Sequence, residues 1–381
     1  MADQLPKDSC LGLAERVGLE AIANRSNFVF SPLSIRAALN LAAVGSKEET
    51  LDRMLSFLGS GSVDELNADS ARLLGPVRLN GTQPGAITSF VNGIWVDQSL
   101  DLNPVFKGMV ESVYRAAAKS VDFQNQVNGW VEKETNGFIK DLLPAGSVDS
   151  MTRLIIANAL YFKGTWEDKF DASKTRDEEF HLLDGSTIKA PFMTMKKDQF
   201  ISSFDGFQVL RLPYRKHKEE KSFSMYIFLP DEGFGLHRLL EKVANEPGFI
   251  QNHTPRPRRV EVRRFMIPKF KISYGFEASK VLKSMGLELP FCPRADFTGM
   301  TASSSSDRSL YISSVHHKAT IELEEEGTVA SAATAVVATA MCYVEPEDFV
   351  ADHPFMFVIR EDATGSLLFL GLLVNPLLST P

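Results

Sequence analysis

Two adjacent histidines, three cysteines, an arginine cluster and one long uncharged run carry whatever chemistry this 381-residue chain can offer. His316 and His317, if on a strand, point to opposite faces, so they cannot jointly hold one metal ion. Cys10, Cys292 and Cys342 are widely spaced and odd in number, which fits reduced thiols better than a disulfide framework, and nothing local marks Cys10 or Cys292 as an activated nucleophile. The chain has no phosphate-cradling glycine motif, no Gly-x-Ser-x-Gly elbow and no His-Glu-x-x-His helix. No catalytic residue, metal ligand or cofactor is therefore assigned.

Arg256, Arg258, Arg259, Arg263 and Arg264 form the one candidate patch for nucleic acid or another polyanion. Val260, Val262, Phe265 and Ile267 interleave with them, so the favoured reading is a solvated strand balanced by an acidic remainder. Net charge is -7 and the isoelectric point is near 5.6, which excludes a general attraction to nucleic acid or to an anionic membrane. Polyanion binding through this cluster would weaken steeply with salt.

The uncharged run fits no ordinary element. Glu324-Glu325-Glu326 leads into 16 residues, Gly327 to Cys342, and Glu345-Pro346-Glu347-Asp348 closes the segment. It is too long for a buried strand, and too short and too rich in hydroxyls for a membrane span; a core helix is open to it but would offer no large side chain to pack. Read as extended chain, one face presents Thr328, Ala330, Ala332, Thr334, Val336, Ala338 and Ala340, and the other Val329, Ser331, Ala333, Ala335, Val337, Thr339 and Met341. Both faces are small. Such a chain can lie as a surface loop between acidic anchors, or slide into a sheet without clashing with either neighbouring layer.

The elements around it read as α+β. An amphipathic helix is expected through Leu11, Leu13, Val17, Leu19 and Ile22. Ser31-Pro32 reads as cap and first turn of a helix over 33–44, and Ser46-Lys47-Glu48-Glu49 as a capping box before 51–58. Short apolar or alternating runs at 87–96, 154–162, 207–212 and 223–229 are strands of a large sheet system, while 104–114 and 127–143 keep helical spacing. Helices and strands do not alternate regularly, which excludes a doubly wound nucleotide fold. Composition is 44% hydrophobic and 23% charged, and no long linker divides the chain, so one domain over 1–381 is expected. The amino terminus lacks the basic start and apolar core of a secretory signal, so a cytoplasmic location is expected, with unconventional export left open.

Ordered motifs give the chain a family resemblance over nearly its whole length. Asn27-Phe28-Val29-Phe30-Ser31-Pro32-Leu33-Ser34-Ile35, Asn158 to Trp166, His317-Lys318-Ala319, Glu325-Glu326-Gly327-Thr328, Asp348 to Phe355 and Phe369-Leu370-Gly371 together resemble the serpins, and the 348–355 wording is most similar to plant members. The resemblance implies a large central mixed β-sheet with further sheets, about eight to nine helices and an exposed reactive-centre loop at about 325–347. It also implies irreversible suicide inhibition of a serine protease, with papain-like cysteine proteases as a second target class. The loop is cleaved, an acyl-enzyme forms, and insertion of the loop drags the protease across the sheet.

By that resemblance Met341-Cys342 is the reactive bond, to within one or two residues. Glu325, Glu326, Gly327, Thr328, Ala330, Ala332 and Thr334 are the loop hinge. Ser31, Ser34, Asn158 and His317 form the gate under the sheet opening, and Trp166 marks the top of the sheet. A monomer with a covalently captured protease as its partner is implied, with no nucleic acid and no membrane. The rival is a non-inhibitory relative that keeps the fold for storage, chaperoning or carrying a ligand. Charged, bulky or proline residues between Gly327 and Ala333 would favour that rival, and there are none.

Overall fold

In a computed structural model, the structure describes residues 8–378 except 76–80, 84–85, 122, 217–221, 232–234, 303–309 and 326–345. Among the described residues, nine α-helices surround three β-sheets, an α+β arrangement. The helix Ser9–Ala23 starts where Asp8 accepts a hydrogen bond from the Cys10 amide, and buries Leu13, Val17 and Ala21. The helix Pro32–Val44 starts as its sequence dictates: the Ser31 hydroxyl accepts from the Ser34 amide, and Pro32 occupies the first turn. Almost every side chain of this second helix is buried, with Ile35 and Leu39 in one apolar cluster and Leu33 and Ala37 in another, so it forms a buried floor between two sheets.

The central sheet has the order Phe270–Glu277, Ser314–Leu323, Leu154–Gly164, Ala86–Asp97, with Gly81–Gln83 and Ala117–Val121 both pairing to the last of these. Leu154–Gly164 is buried almost throughout, as its apolar run requires. Ala86–Asp97 lies antiparallel to it, whereas Ser314–Leu323 lies parallel, from Ser314 opposite Ile155 to Ile321 opposite Phe162. The second sheet also has six strands and is antiparallel throughout. A Cβ at Gly371 would stand 2.1 Å from the Phe357 ring, so glycine is what lets the paired strands Phe355–Glu361 and Leu367–Leu373 close up. The third sheet joins Glu347–Val350, Val262–Pro268, Thr187–Met193 and Arg176–His181.

Two local expectations need correction. Ser46 does not cap the third helix, Glu48–Leu58. Its hydroxyl donates back to the Ala43 carbonyl at 2.7 Å, and Lys47 takes the cap position with its amide bonded to Asp296. The helical spacing over 127–143 also overreaches, because the helix Phe123–Glu134 ends before Asn136 and Gly137, which adopt positive φ of 51° and 80°. The side chains of Ile139, Leu142 and Leu143 nevertheless remain buried with Val127 and Val131, which is why the apolar spacing continues past the helix.

Candidate functional site

The site begins at a strand pair. His317 and Asn158 face each other in the parallel register, and Asn92 faces Asn158 from the next strand. All three are buried in the sheet, with Ser31 and Ser34 buried beneath them at the start of the second helix. The Ser31 amide donates to His317 Nε2 at 3.2 Å, so that nitrogen carries no proton. Nδ1 must then hold it and donate to Asn158 Oδ1 at 2.8 Å. The Asn158 amide donates to the Ser34 carbonyl at 3.2 Å and to Asn92 Oδ1. The four gate residues expected from sequence are thus one hydrogen-bonded unit tying two parallel strands to the helix below. Asn92 completes it and was missed, although a lone asparagine inside the apolar run 87–96 was the available signal.

Burial pushes the His317 imidazole down to about 3, and the Phe30 and Phe276 rings beside it, centred 5.4 and 5.7 Å away, offer no compensating charge. Burial likewise lowers His316. A base whose folded pKa lies below its ordinary value near 6.5 contributes fully above that value, and its contribution is lost as pH falls from 6.5 toward 3. Chemical denaturation at pH 7.5 and pH 5.0 should therefore show a loss of about 2 kcal/mol from His317 alone. His317→Gln should flatten that dependence, and an unchanged slope in the variant would contradict this assignment.

Charge pairs close the upper end of the same two strands. Trp166 Nε1 donates to the Glu324 carbonyl at 2.9 Å, and its ring stacks on Tyr214 with centroids 4.5 Å apart. Lys163 bridges Glu324 at 2.9 Å and Glu322 at 3.3 Å, so it stands on the central strand and holds the neighbour that continues into the uncharged run. Glu325 is only 8% exposed. Lys269 meets it at 2.7 Å and the Thr175 hydroxyl donates to it at 2.6 Å. Burial works against the Glu325 carboxylate, yet these two bonds outweigh it and hold its pKa below the usual carboxylate value.

Of the expected hinge, only Glu325 is among the described residues. Glu326, Gly327, Thr328, Ala330, Ala332 and Thr334, and the bond Met341-Cys342, lie outside them. The far anchor is described: the Glu347 amide donates to the Glu261 carbonyl at 3.0 Å, and Glu347–Val350 runs parallel to Val262–Pro268. The strand carrying the arginine cluster thus begins at Val262, with Arg256, Arg258 and Arg259 before it. Arg263 makes a two-pronged contact with Asp348 at 3.1 and 2.8 Å, and Arg259 meets Asp168 at 2.6 Å. Four of the expected cluster, Arg256, Arg258, Arg263 and Arg264, are exposed, and Arg259 is half-buried.

Similarity to known proteins follows the whole chain. The family model described as Serpin (serine protease inhibitor) matches residues 7–376. The Arabidopsis thaliana protein named Serpin-ZX is 48% identical over 378 residues, covering 96% of each chain. The Hordeum vulgare Serpin-ZX is 50% identical over 372 residues, covering 94% of this chain and 92% of its own. Among solved structures, Arabidopsis AtSerpin1, described as being in its native stressed conformation, has a TM-score of 0.89 at 46% identity and covers 97% of both chains.

Proposed function

Because the chain belongs to the serpin family, we propose that it inhibits serine proteases irreversibly, by offering the loop at 325–347 as a substrate and inserting it into the central sheet after cleavage. The carrying observation is the unbroken parallel pairing of Ser314–Leu323 with Leu154–Gly164 over the gate. The uncharged run leaves from the end of Ser314–Leu323, so a loop folding back between the two strands would run antiparallel to both. Insertion exchanges one parallel ladder for two antiparallel ones, which are slightly stronger per residue, and adds backbone pairs and buried surface. The gate and the Glu325 pairs hold the uninserted arrangement until cleavage releases the loop.

Thr328 to Met341 gives 14 residues, or roughly 45 Å of strand, enough to carry a tethered protease to the opposite pole. Pulling the enzyme's acyl-serine away from its oxyanion hole and histidine would stop deacylation, since both need sub-ångström placement. The inhibitor supplies no catalytic group of its own. Hinge residues Gly327, Thr328, Ala330, Ala332 and Thr334 and the gate Ser31, Ser34, Asn158 and His317 take these roles in the proposal, with Met341-Cys342 as the bond attacked.

Met341 is flexible and apolar, and the run from Gly327 to Val344 contains neither lysine nor arginine. It should fill a hydrophobic primary pocket and leave the acidic pocket of a trypsin-like enzyme unsatisfied. Chymotrypsin should be inhibited near one-to-one stoichiometry, with no activity recovered on dilution, and at least tenfold faster than trypsin. Equal rates for the two enzymes would contradict the assigned specificity, and full recovery on dilution would contradict irreversible trapping. A papain-like cysteine protease is the second target class, tested by the same stoichiometry and dilution.

A further inference from the structure

Beyond the bait, we propose a docking surface for the target protease: a basic face between the two anchors of the loop, which selects proteases that carry acidic residues around their cleft. The proposal rests on the inhibitory reading above. Four segments meet there. Trp166 pairs with Tyr214, and the Arg215 amide donates to the Thr165 carbonyl at 2.7 Å, joining 165–169 to 213–216. Asp168 accepts from Lys197 and Arg259, each at 2.6 Å, and Gln199 pairs with Val260, which brings in 196–200 and 256–260.

These segments carry eight cations, Lys169, Lys196, Lys197, Arg215, Lys216, Arg256, Arg258 and Arg259, against three carboxylates, Glu167, Asp168 and Asp198. That excess stands on a chain whose net charge is -7. All of the cations except Arg259 are exposed. Arg259 instead lies over the Phe200 ring, 4.7 Å from its centre, and pins the Asp168 end of the face.

Position supplies the function. Trp166 in the first segment holds Glu324, one residue before the near anchor Glu325, while Glu261, next to Val260 in the last segment, holds Glu347 at the far anchor. A protease that closes on a bond between those anchors must bring the rim of its cleft over the surface between them. Opposite charge on that rim raises the encounter rate by about tenfold to a thousandfold, and salt suppresses the gain. A free polyanion would find the same positive charge, but it would gain nothing from the anchors on either side, so an acidic protease rim is the partner chosen.

The test compares chymotrypsin with the same enzyme after succinylation of its lysines, which turns its surface acidic. At 10 mM salt the parent should trap the succinylated enzyme at least tenfold faster than the unmodified one, and the ratio should shrink at 150 mM. Lys196→Glu, Lys216→Glu and Arg256→Glu combined should remove the preference without slowing the trapping of unmodified chymotrypsin. The same ratio in parent and variant would overturn the proposal. If neither enzyme form is trapped at all, the inhibitory reading has failed, and binding of succinylated anhydrochymotrypsin decides the surface alone: at least tenfold weaker binding by the variant supports it, and equal binding overturns it. Variant-sensitive binding of a heparin oligosaccharide together with indifference to succinylation would assign the face to polyanions and overturn the protease assignment.

Discussion

Thr328→Arg is expected to turn the protein from a trap into a substrate. In the proposed mechanism inhibition is a race between loop insertion and deacylation, and Thr328 is the first hinge residue that would have to enter the sheet. In the alternation of the run, Thr328 shares a face with Ala330, Ala332 and Thr334, the face that the proposed insertion would bury. An unpaired guanidinium there costs several kcal/mol even after relaxation. Each 1.4 kcal/mol added to the insertion barrier slows that step about tenfold, so deacylation should win by two or more orders of magnitude. The same protease should cut the variant at the same bond, little stable complex should form, and cleavage should raise its melting temperature little, whereas cleavage of the parent should raise it substantially. Trapping by Thr328→Arg as efficient as by the parent would rule out loop insertion and leave simple occupancy of the protease cleft.

The second large effect concerns the gate. Asn158→Ala leaves the His317 Nδ1–H without its acceptor, and removes the donor to the Ser34 carbonyl and to Asn92, all in a fully buried position. An orphaned buried polar group costs about 1–3 kcal/mol, so the uninserted form should lose roughly 2–4 kcal/mol. In the proposed mechanism the inserted strand separates His317 from Asn158, and the cleaved form should lose far less. Activity remaining after incubation at a fixed raised temperature should then decay about thirtyfold faster or more, while the melting temperature of the cleaved protein changes little. Equal losses in both forms would mean that Asn158 is ordinary core polarity with no gating role.

Much of the positioning framework was legible because it rests on local chemistry. Ser31-Pro32 starts the second helix through its own hydroxyl and ring, and the runs at 87–96, 154–162, 207–212 and 223–229 are strands within a residue or two of their expected ends. Gate residues were placed by family resemblance, and the three hydrogen bonds that join the His317–Asn158 pair together and to the helix link residues more than 100 positions apart, which no local pattern encodes. The Glu325 contacts with Lys269 and Thr175 were invisible for the same reason. Ser46 misled because a serine three residues before a glutamate satisfies the capping pattern, while tertiary contact with Asp296 decided where that helix begins. Beyond Glu134 the apolar spacing persisted because turns there still bury Ile139 and Leu142, and burial alone cannot distinguish them from helix.

The most direct test of the account is to mix the protein with chymotrypsin, boil it in detergent, and determine the masses of the products. The account predicts a detergent-resistant complex of the protease with residues 1–341, together with a released peptide of 40 residues from Cys342 to Pro381. A bond displaced by one or two residues would refine the register and keep the mechanism. Inhibition that leaves both chains separable and the inhibitor uncut would contradict it.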